Sequence, residues 1–253
     1  MAGSLRLGCV EYLNARPLVH GWRGDVLFDH PSVLCRRLAA GELDVALVSS
    51  FEYLRNPIYS IVDGIAIASD GPVYSVVLAH RRPLEQVREI TVDPASETSV
   101  NLLRVLLGER GLHPRLVSGA ADSPSDRARL LIGDQAIEFR KRPSEFQYWD
   151  LGEQWRDLCD LPFVYALWLI RPEVAGAKEI AARLRALRET NLRRVETLIA
   201  TEKKFDRDFC ARYFRDYLRF GFGQKEKEGL AMFQRLCAKH DLLPAPELSL
   251  RLF

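Results

Sequence analysis

Four short clusters of polar, mostly uncharged residues stand where apolar runs give way to helical patterns. Tyr12-Leu13-Asn14-Ala15-Arg16-Pro17-Leu18 follows the first run, and Pro17 suits a helix start, so Asn14 lies in the turn above the strand. Its amide can cap that helix or turn toward a ligand. Ser49-Ser50-Phe51-Glu52 follows the run ending at Val48; a hydroxyl with Glu three residues on is a capping box, which assigns Ser49 first to the helix end. Ser96-Glu97-Thr98-Ser99 precedes a helix whose third position, with Ser99 as cap, is the apolar Leu102. The amides there stay open, and hydroxyls at an open helix start suit a carboxylate or phosphate as well as plain capping. In Leu131-Ile132-Gly133-Asp134 the glycine allows close backbone approach, and Asp134 reads as a structural acceptor. Groups of this kind orient and hydrogen-bond a ligand.

Familiar catalytic patterns are absent: the sequence has no GxSxG, HExxH, Walker loop or strand-to-helix GxGxxG. Gly221-Phe222-Gly223 lies between helical runs and reads as a C-cap turn. His20, His30, His80, His113 and His240 have no partner at metal spacing, and the five cysteines, at 9, 35, 159, 210 and 237, form no CxxC pair. Neither a metal nor a cofactor is expected. Cys35, Cys210 and Cys237 fall on apolar helix faces as small buried thiols, which suits a reducing compartment. Trp149, Trp155 and Trp168 read as core. Arginines 183, 185, 188, 193 and 194 alternate with apolar residues beside Glu189 and Glu196, the pattern of a solvated helix face. A net charge of +2 argues against a nucleic-acid partner. The opening MAGSLRLGCVEYL is broken by Arg6 and Glu11, and no stretch reaches the ~18 apolar residues of a membrane span, so the expected location is cytoplasmic with no membrane partner. Oligomeric state is left open.

Positioning those clusters requires an α/β framework. Apolar, β-branched runs predict strands over 5–10, 45–48, 73–79, 89–92, 115–117, 129–132, 148–151 and 163–170, with helices over 31–40 and 99–110. Pro31 and Gly41 bracket the first of these helices. After Arg171-Pro172 the pattern is helical only, through Leu184 to Leu198, then 209–218 and 228–239. With 253 residues, 47% of them apolar, the chain can bury two cores. The simplest topology inserts one lobe (83–171) into another (1–82 and 172–253) through two hinge strands, 73–79 and 163–170. A central cleft then faces the carboxyl ends of the parallel strands, where open α/β sheets place ligands.

Six segments occur in an order and spacing that resemble a known family: YLNARPL (12–18), AAGELDVALVSSFEYLRN (39–56), GPVYSVVL (71–78), ETSVNLLRVLL (97–107), LIGDQAI (131–137), and DLGEQW with LPFVYALW (150–168). They resemble the chorismate dehydratases of the futalosine route to menaquinone, from about residue 7 to the C-terminus. Arg127-Ala128-Arg129 is more basic than the family pattern at that point. The resemblance implies a type II periplasmic-binding-protein-like fold and loss of water from chorismate to give 3-[(1-carboxyvinyl)oxy]benzoate. It implies a small-molecule substrate, and an elimination in which the substrate's enolpyruvyl carboxylate can serve as base. By position on the motifs it places Asn14 and Ser75 at the reacting hydroxyl, Thr98 and Ser99 on a carboxylate, and Tyr12 and Ser49 on the cleft wall. Two rivals share the fold: a non-catalytic solute-binding protein, and the 1,4-dihydroxy-6-naphthoate synthase of the same pathway, which relies on a histidine base.

Overall fold

The computed structural model describes residues 5–93, 97–119, 127–244 and 248–253; Ser96 of the third polar cluster lies outside them. The chain opens with β1 (Leu7–Cys9), a 3-10 turn (Leu13–Ala15), α1 (Arg16–Val19), β2 (Val26–Phe28), α2 (Pro31–Ala39), β3 (Val45–Ser49), α3 (Ser50–Arg55) and β4 (Ser60–Ser69). It continues with β5 (Val76–His80), β6 (Glu89–Val92), α4 (Glu97–Glu109), β7 (Arg115–Ser118), β8 (Ala128–Ile132), α5 (Gly133–Lys141), β9 (Gln147–Asp150) and α6 (Leu151–Cys159). The remainder is β10 (Phe163–Ile170), α7 (Ala177–Arg193), α8 (Val195–Thr201), α9 (Arg207–Arg212), a π-helical turn (Tyr213–Tyr217) and α10 (Gln224–Lys239).

Two five-stranded sheets result, ordered β2-β1-β3-β10-β4 and β7-β6-β8-β5-β9. Their plans match. Three parallel strands are followed by one antiparallel strand, β10 in the first sheet and β5 in the second, with a fifth strand antiparallel outside it. All five residues of β3, β5 and β8 are buried, which explains their continuous apolar runs: a strand covered on both faces has no solvent side to keep polar. Gly41, at φ +74°, ends the segment after α2 in the left-handed conformation a glycine adopts without strain. The edge of β4 is covered by the C-terminus, where Ile61 N–H donates to Arg251 O (2.7 Å) and Phe253 N–H to Ile61 O (3.0 Å).

Sheet membership shifts the expected lobe limits at 82/83 and 171/172. Strand β5 is paired on both edges within the second sheet, and β10 on both edges within the first. The chain passes from one sheet to the other at 70–75 and 160–162, not along the strands themselves. Fully buried strands need ladder partners for every N–H and C=O, and a strand stretched across a hinge would lack them.

Gly221-Phe222-Gly223 is a second correction: it leads into α10, with Gly223 as the N-cap at φ −90° and Glu226 Oε2 accepting from its N–H at 2.9 Å. The arginine face of α7 and the turn after it is largely solvated, as its pattern implies, with Arg183, Arg193 and Arg194 exposed and Arg185 and Arg188 half-buried. Arg185 donates to Phe253 O (2.6 Å), and Arg183 lies 4.3 Å from the Trp22 ring centroid. Arg127 pairs with Glu89 (2.8 Å), and the Arg129 guanidinium lies over Phe139 and Phe146. Trp155 and Trp168 are fully buried and Trp149 nearly so. Among the described residues no helix is long and apolar enough to cross a membrane.

Candidate functional site

The carboxyl ends of β1, β3 and β8 and the first turn of α4 converge on one cavity. Tyr12, Asn14, Ser49, Ser75, Thr98 and Ser99 all line it, so the structure brings together the six residues singled out from the sequence. The other lining residues are Val10, Pro31, Leu47, Val48, Ile67, Val73, Val76, Ile132, Gly133, Tyr165 and Ala166, none of them charged. Attraction for an anion must therefore come from neutral donors and from the amino ends of α4 and α5.

Asn14 lies within the 3-10 turn and caps nothing: the caps of that turn and of α1 are Tyr12 and Ala15, neither with a side-chain bond. The Asn14 Oδ1 atom is buried and has no hydrogen-bond partner among the described residues. Ser49 is the N-cap of α3, yet its hydroxyl makes no capping bond, so the expected capping box does not form. As the last residue of β3 it points into the cleft, and its Oγ pairs with Thr98 Oγ1 from the other lobe. Glu52 turns away to Arg55 and to the Tyr59 hydroxyl (3.3 Å).

Thr98 is tied further. Its Oγ1 accepts from Phe51 N–H at 3.1 Å, and its own N–H donates to Ser49 Oγ at 3.2 Å. Because α4 begins at Glu97, Ser99 sits inside the first turn and is not the cap. Tyr12 lays its ring against Gly133, whose φ of +56° and missing side chain are both required: a Cβ there would fall 2.9 Å from Tyr12 Cδ2. Burial, followed by the nearby Asp93 and Asp134 charges, pushes the Tyr12 phenol up to about 12, so it stays a neutral donor. Asp134 accepts from Leu13 N–H at 2.8 Å and so steadies the Tyr12–Asn14 turn from the opposite lobe; burial raises its pKa.

Ser75 owes its place to a strained crossing. Tyr74 has φ +66°, a conformation costly for a non-glycine residue. Asp150 holds it by accepting from Val73 N–H (3.0 Å) and Tyr74 N–H (2.8 Å), and Arg140 donates to Tyr74 O (3.0 Å) while lying 3.8 Å over the Tyr74 ring. Gly133 N–H donates to Ser75 O at 2.8 Å, and the Tyr213 hydroxyl donates to Ser75 Oγ at 2.6 Å. Asp150, Tyr165 and Tyr213 were not singled out from the sequence. Tyr165, on the cavity wall with its hydroxyl 3.0 Å from Ser69 Oγ, lies inside an apolar strand and reads as core. Only the Asp-Leu-Gly-Glu start of α6, an N-cap signature, pointed at Asp150, whose carboxylate also accepts from Gly152 N–H at 3.1 Å.

Among the described residues, Cys35, Glu52 and Glu97 approach one another closely enough for a metal, but the Arg55 guanidinium already pairs with both carboxylates. All five cysteines are free; burial pushes Cys35 and Cys237 up to about 12 and Cys210 to about 11, leaving inert thiols.

Residues 5–239 match a family model described as menaquinone biosynthesis. A chorismate dehydratase from Thermus thermophilus is 32% identical over 220 residues, covering 78% of this chain and 81% of that protein. Among solved structures, protein AF1704 from Archaeoglobus fulgidus superposes with a TM-score of 0.73 at 18% identity, covering 94% of this chain and 98% of that one. The periplasmic aliphatic sulphonate binding protein SsuA from Escherichia coli gives 0.66 at 15% identity, covering 97% and 95%. These likenesses show the two-lobed periplasmic-binding-protein-like fold.

Proposed function

This chain belongs to the menaquinone-biosynthesis family, and we propose that it is a hydro-lyase that removes water from chorismate to give 3-[(1-carboxyvinyl)oxy]benzoate. The observation that carries the reading is the uncharged cavity where Asn14, Ser75, Ser99 and Tyr12 converge from both lobes. Its chemistry suits an elimination in which the substrate brings its own base. Loss of the ring proton at the carbon bearing the enol ether gives a carbanion spread into the diene and its carboxylate. Expulsion of the neighbouring hydroxyl then yields the aromatic ring. The enolpyruvyl carboxylate accepts the ring proton and returns it to the departing hydroxide, so one water leaves and no protein group changes charge.

In this reading Asn14 and Ser75 hydrogen-bond the reacting hydroxyl, and Ser99 receives a carboxylate at the first turn of α4. Tyr12 and Ser49 shape the wall. Thr98, bound to Ser49 and Phe51, couples a carboxylate at α4 to contact between the lobes. Mainly apolar walls leave the substrate carboxylate poorly hydrated and therefore basic once the cleft excludes water, and fixed neutral donors orient it without quenching it through an ion pair. The lobes are taken as 5–69 with 163–253, and 76–159, following sheet membership. A histidine base, as in the naphthoate synthase alternative, has no support here, because no histidine lines the cavity. Incubation of the protein with chorismate, followed by mass spectrometry, should show a product lighter by one water. Unchanged chorismate that nonetheless binds would favour a solute-binding role instead.

A further inference from the structure

Tyr213 meets the cavity only through other side chains. It begins the π-helical turn after α9, a rare distortion that recurs at functional sites because it re-aims one side chain within a helix. Its ring is fully buried, stacked on Phe209 (centroids 5.4 Å apart, 17° between planes) and tilted against Phe214 (6.1 Å), so the phenol has no room to swing. Tyr213 does not line the cavity, whereas Ser75, to which it donates at 2.6 Å, does. Burial raises the Tyr213 phenol far above its ordinary range, and hydrogen bonding by the Asn14 side chain only partly opposes this. Both residues assigned above to the reacting hydroxyl thus bear on one buried phenol.

We propose that Tyr213 is a positioning residue for the dehydration: by donating to Ser75 Oγ it directs the Ser75 proton into the cavity, toward the departing hydroxyl. The inference rests on the reaction proposed above. A serine hydroxyl has one proton and two lone pairs, and a lone pair filled by Tyr213 removes one of the directions in which Ser75 could turn without serving the substrate. A donated bond also polarises the serine, making its own O–H a stronger donor. Tyr213 passes on no proton. Ionising a fully buried phenol is disfavoured, and the balance does not need it: the ring C–H and the C–O bonds break, the C–H electron pair enters the ring, and the hydroxide leaves with the C–O pair. That hydroxide regains the proton held by the substrate carboxylate and departs as water, while Ser75 stays protonated.

The test is Tyr213→Phe, which keeps the ring stacking and deletes only the donor. Turnover of chorismate should fall about tenfold with KM changed less than about twofold and Tm nearly unchanged. In a Ser75→Ala background the same substitution should have no further effect, because the group it positions is gone. Multiplicative losses in the double variant, or a Tyr213→Phe enzyme with the turnover of the unsubstituted protein, overturn the inference. Should Tyr213→Phe not fold, 3-fluorotyrosine at 213 keeps shape and donor while lowering the phenol pKa; turnover insensitive to it is equally fatal. Failure of the unsubstituted protein to dehydrate chorismate is a different outcome, which removes the proposed reaction itself.

Discussion

The two lobes meet along two kinds of surface. Inside the cleft the contacts run between neutral groups: Thr98 with Ser49, Ser50 and Phe51 N–H, and Tyr213 with Ser75. Around the rim they are ionic: Arg55 with Glu97, Lys204 with Asp134 and Glu138, Lys141 with Asp206, and Lys239 with Glu109, which also hydrogen-bonds the His240 ring. Each rim pair keeps at least one partner open to water, as Lys204 and Lys239 are, so each contributes little and salt screens it. The inner hydroxyls are buried, where a lost partner costs more, yet they carry no charge that would have to be neutralised when a ligand takes their place. A dianion entering such a cleft replaces neutral partners and meets no fixed counter-charge that would quench its basicity. The proposed reaction draws on the inner surface and not on the ionic rim.

The sharpest way to break this comparison is at the inner surface. Asn14→Ala and Ser75→Ala should each lower turnover by one to three orders of magnitude, about 1.4 to 4 kcal/mol of barrier, with Tm little changed. Intact turnover with a lower Tm would reduce both to structural roles. Next comes Thr98→Val, which keeps the shape but leaves Phe51 N–H without its acceptor. The closed arrangement should weaken by about 1 to 3 kcal/mol. Small-angle scattering should then show a larger radius of gyration, recovered on adding a product-like dicarboxylate; an unchanged radius would mean that Thr98 does not hold the lobes together.

Ser99→Ala tests the ligand side of the same surface. Affinity for an unreactive benzoate dicarboxylate should drop by roughly 1 to 2 kcal/mol, the range for a bond to a charged group, as measured by calorimetry. The smallest effect is expected at the rim. Hydrogen bonding by the Lys239 ammonium holds Glu109 below its ordinary value of 4.5, with His240 adding to the shift. A depressed carboxyl contributes stability above the unfolded value, and that contribution is lost as pH falls through the lower folded value. Glu109→Gln should therefore flatten the acid limb of stability against pH by less than about 1 kcal/mol, with no effect on turnover at neutral pH. A large loss of turnover would erase the distinction between rim and cleft.

Strands β6 and β10 and helix α2 were legible almost residue for residue. Each is a continuous or periodic apolar run with clear punctuation, such as Pro31 before α2 and Arg171-Pro172 after β10. Short or mixed elements were not. Strands β2 and β4 and helices α5 and α6 escaped notice: Val26–Phe28 is three residues long, and the polar Asp63-Gly64 interrupts β4. The six site residues were reached differently. Tyr12, Asn14, Ser49, Thr98 and Ser99 stood at strand-to-helix junctions, while Ser75 emerged only from the resemblance of GPVYSVVL to a family motif, since it stands at the start of an apolar strand run, past the Gly71-Pro72 turn signal and with no helix pattern after it.

What the sequence determined by itself was the local grammar: alternating strands and helices, polar clusters at their junctions, a near-neutral charge, and no strongly reactive motif. Which hydroxyl faces which was decided only by tertiary structure. Ser49 read as a cap for its own helix and Thr98 as the residue before the cap Ser99, because sequence shows a hydroxyl only its neighbours along the chain. In the folded protein their nearest partners are 49 residues apart in sequence and belong to different lobes. Tyr213 and Ser75, separated by 138 positions, meet because a π-helical turn and a left-handed Tyr74 re-aim them toward one point. Hydrogen bonding is short-ranged and directional, so its pattern at the cleft follows from how two lobes pack, a property that no local window of residues contains.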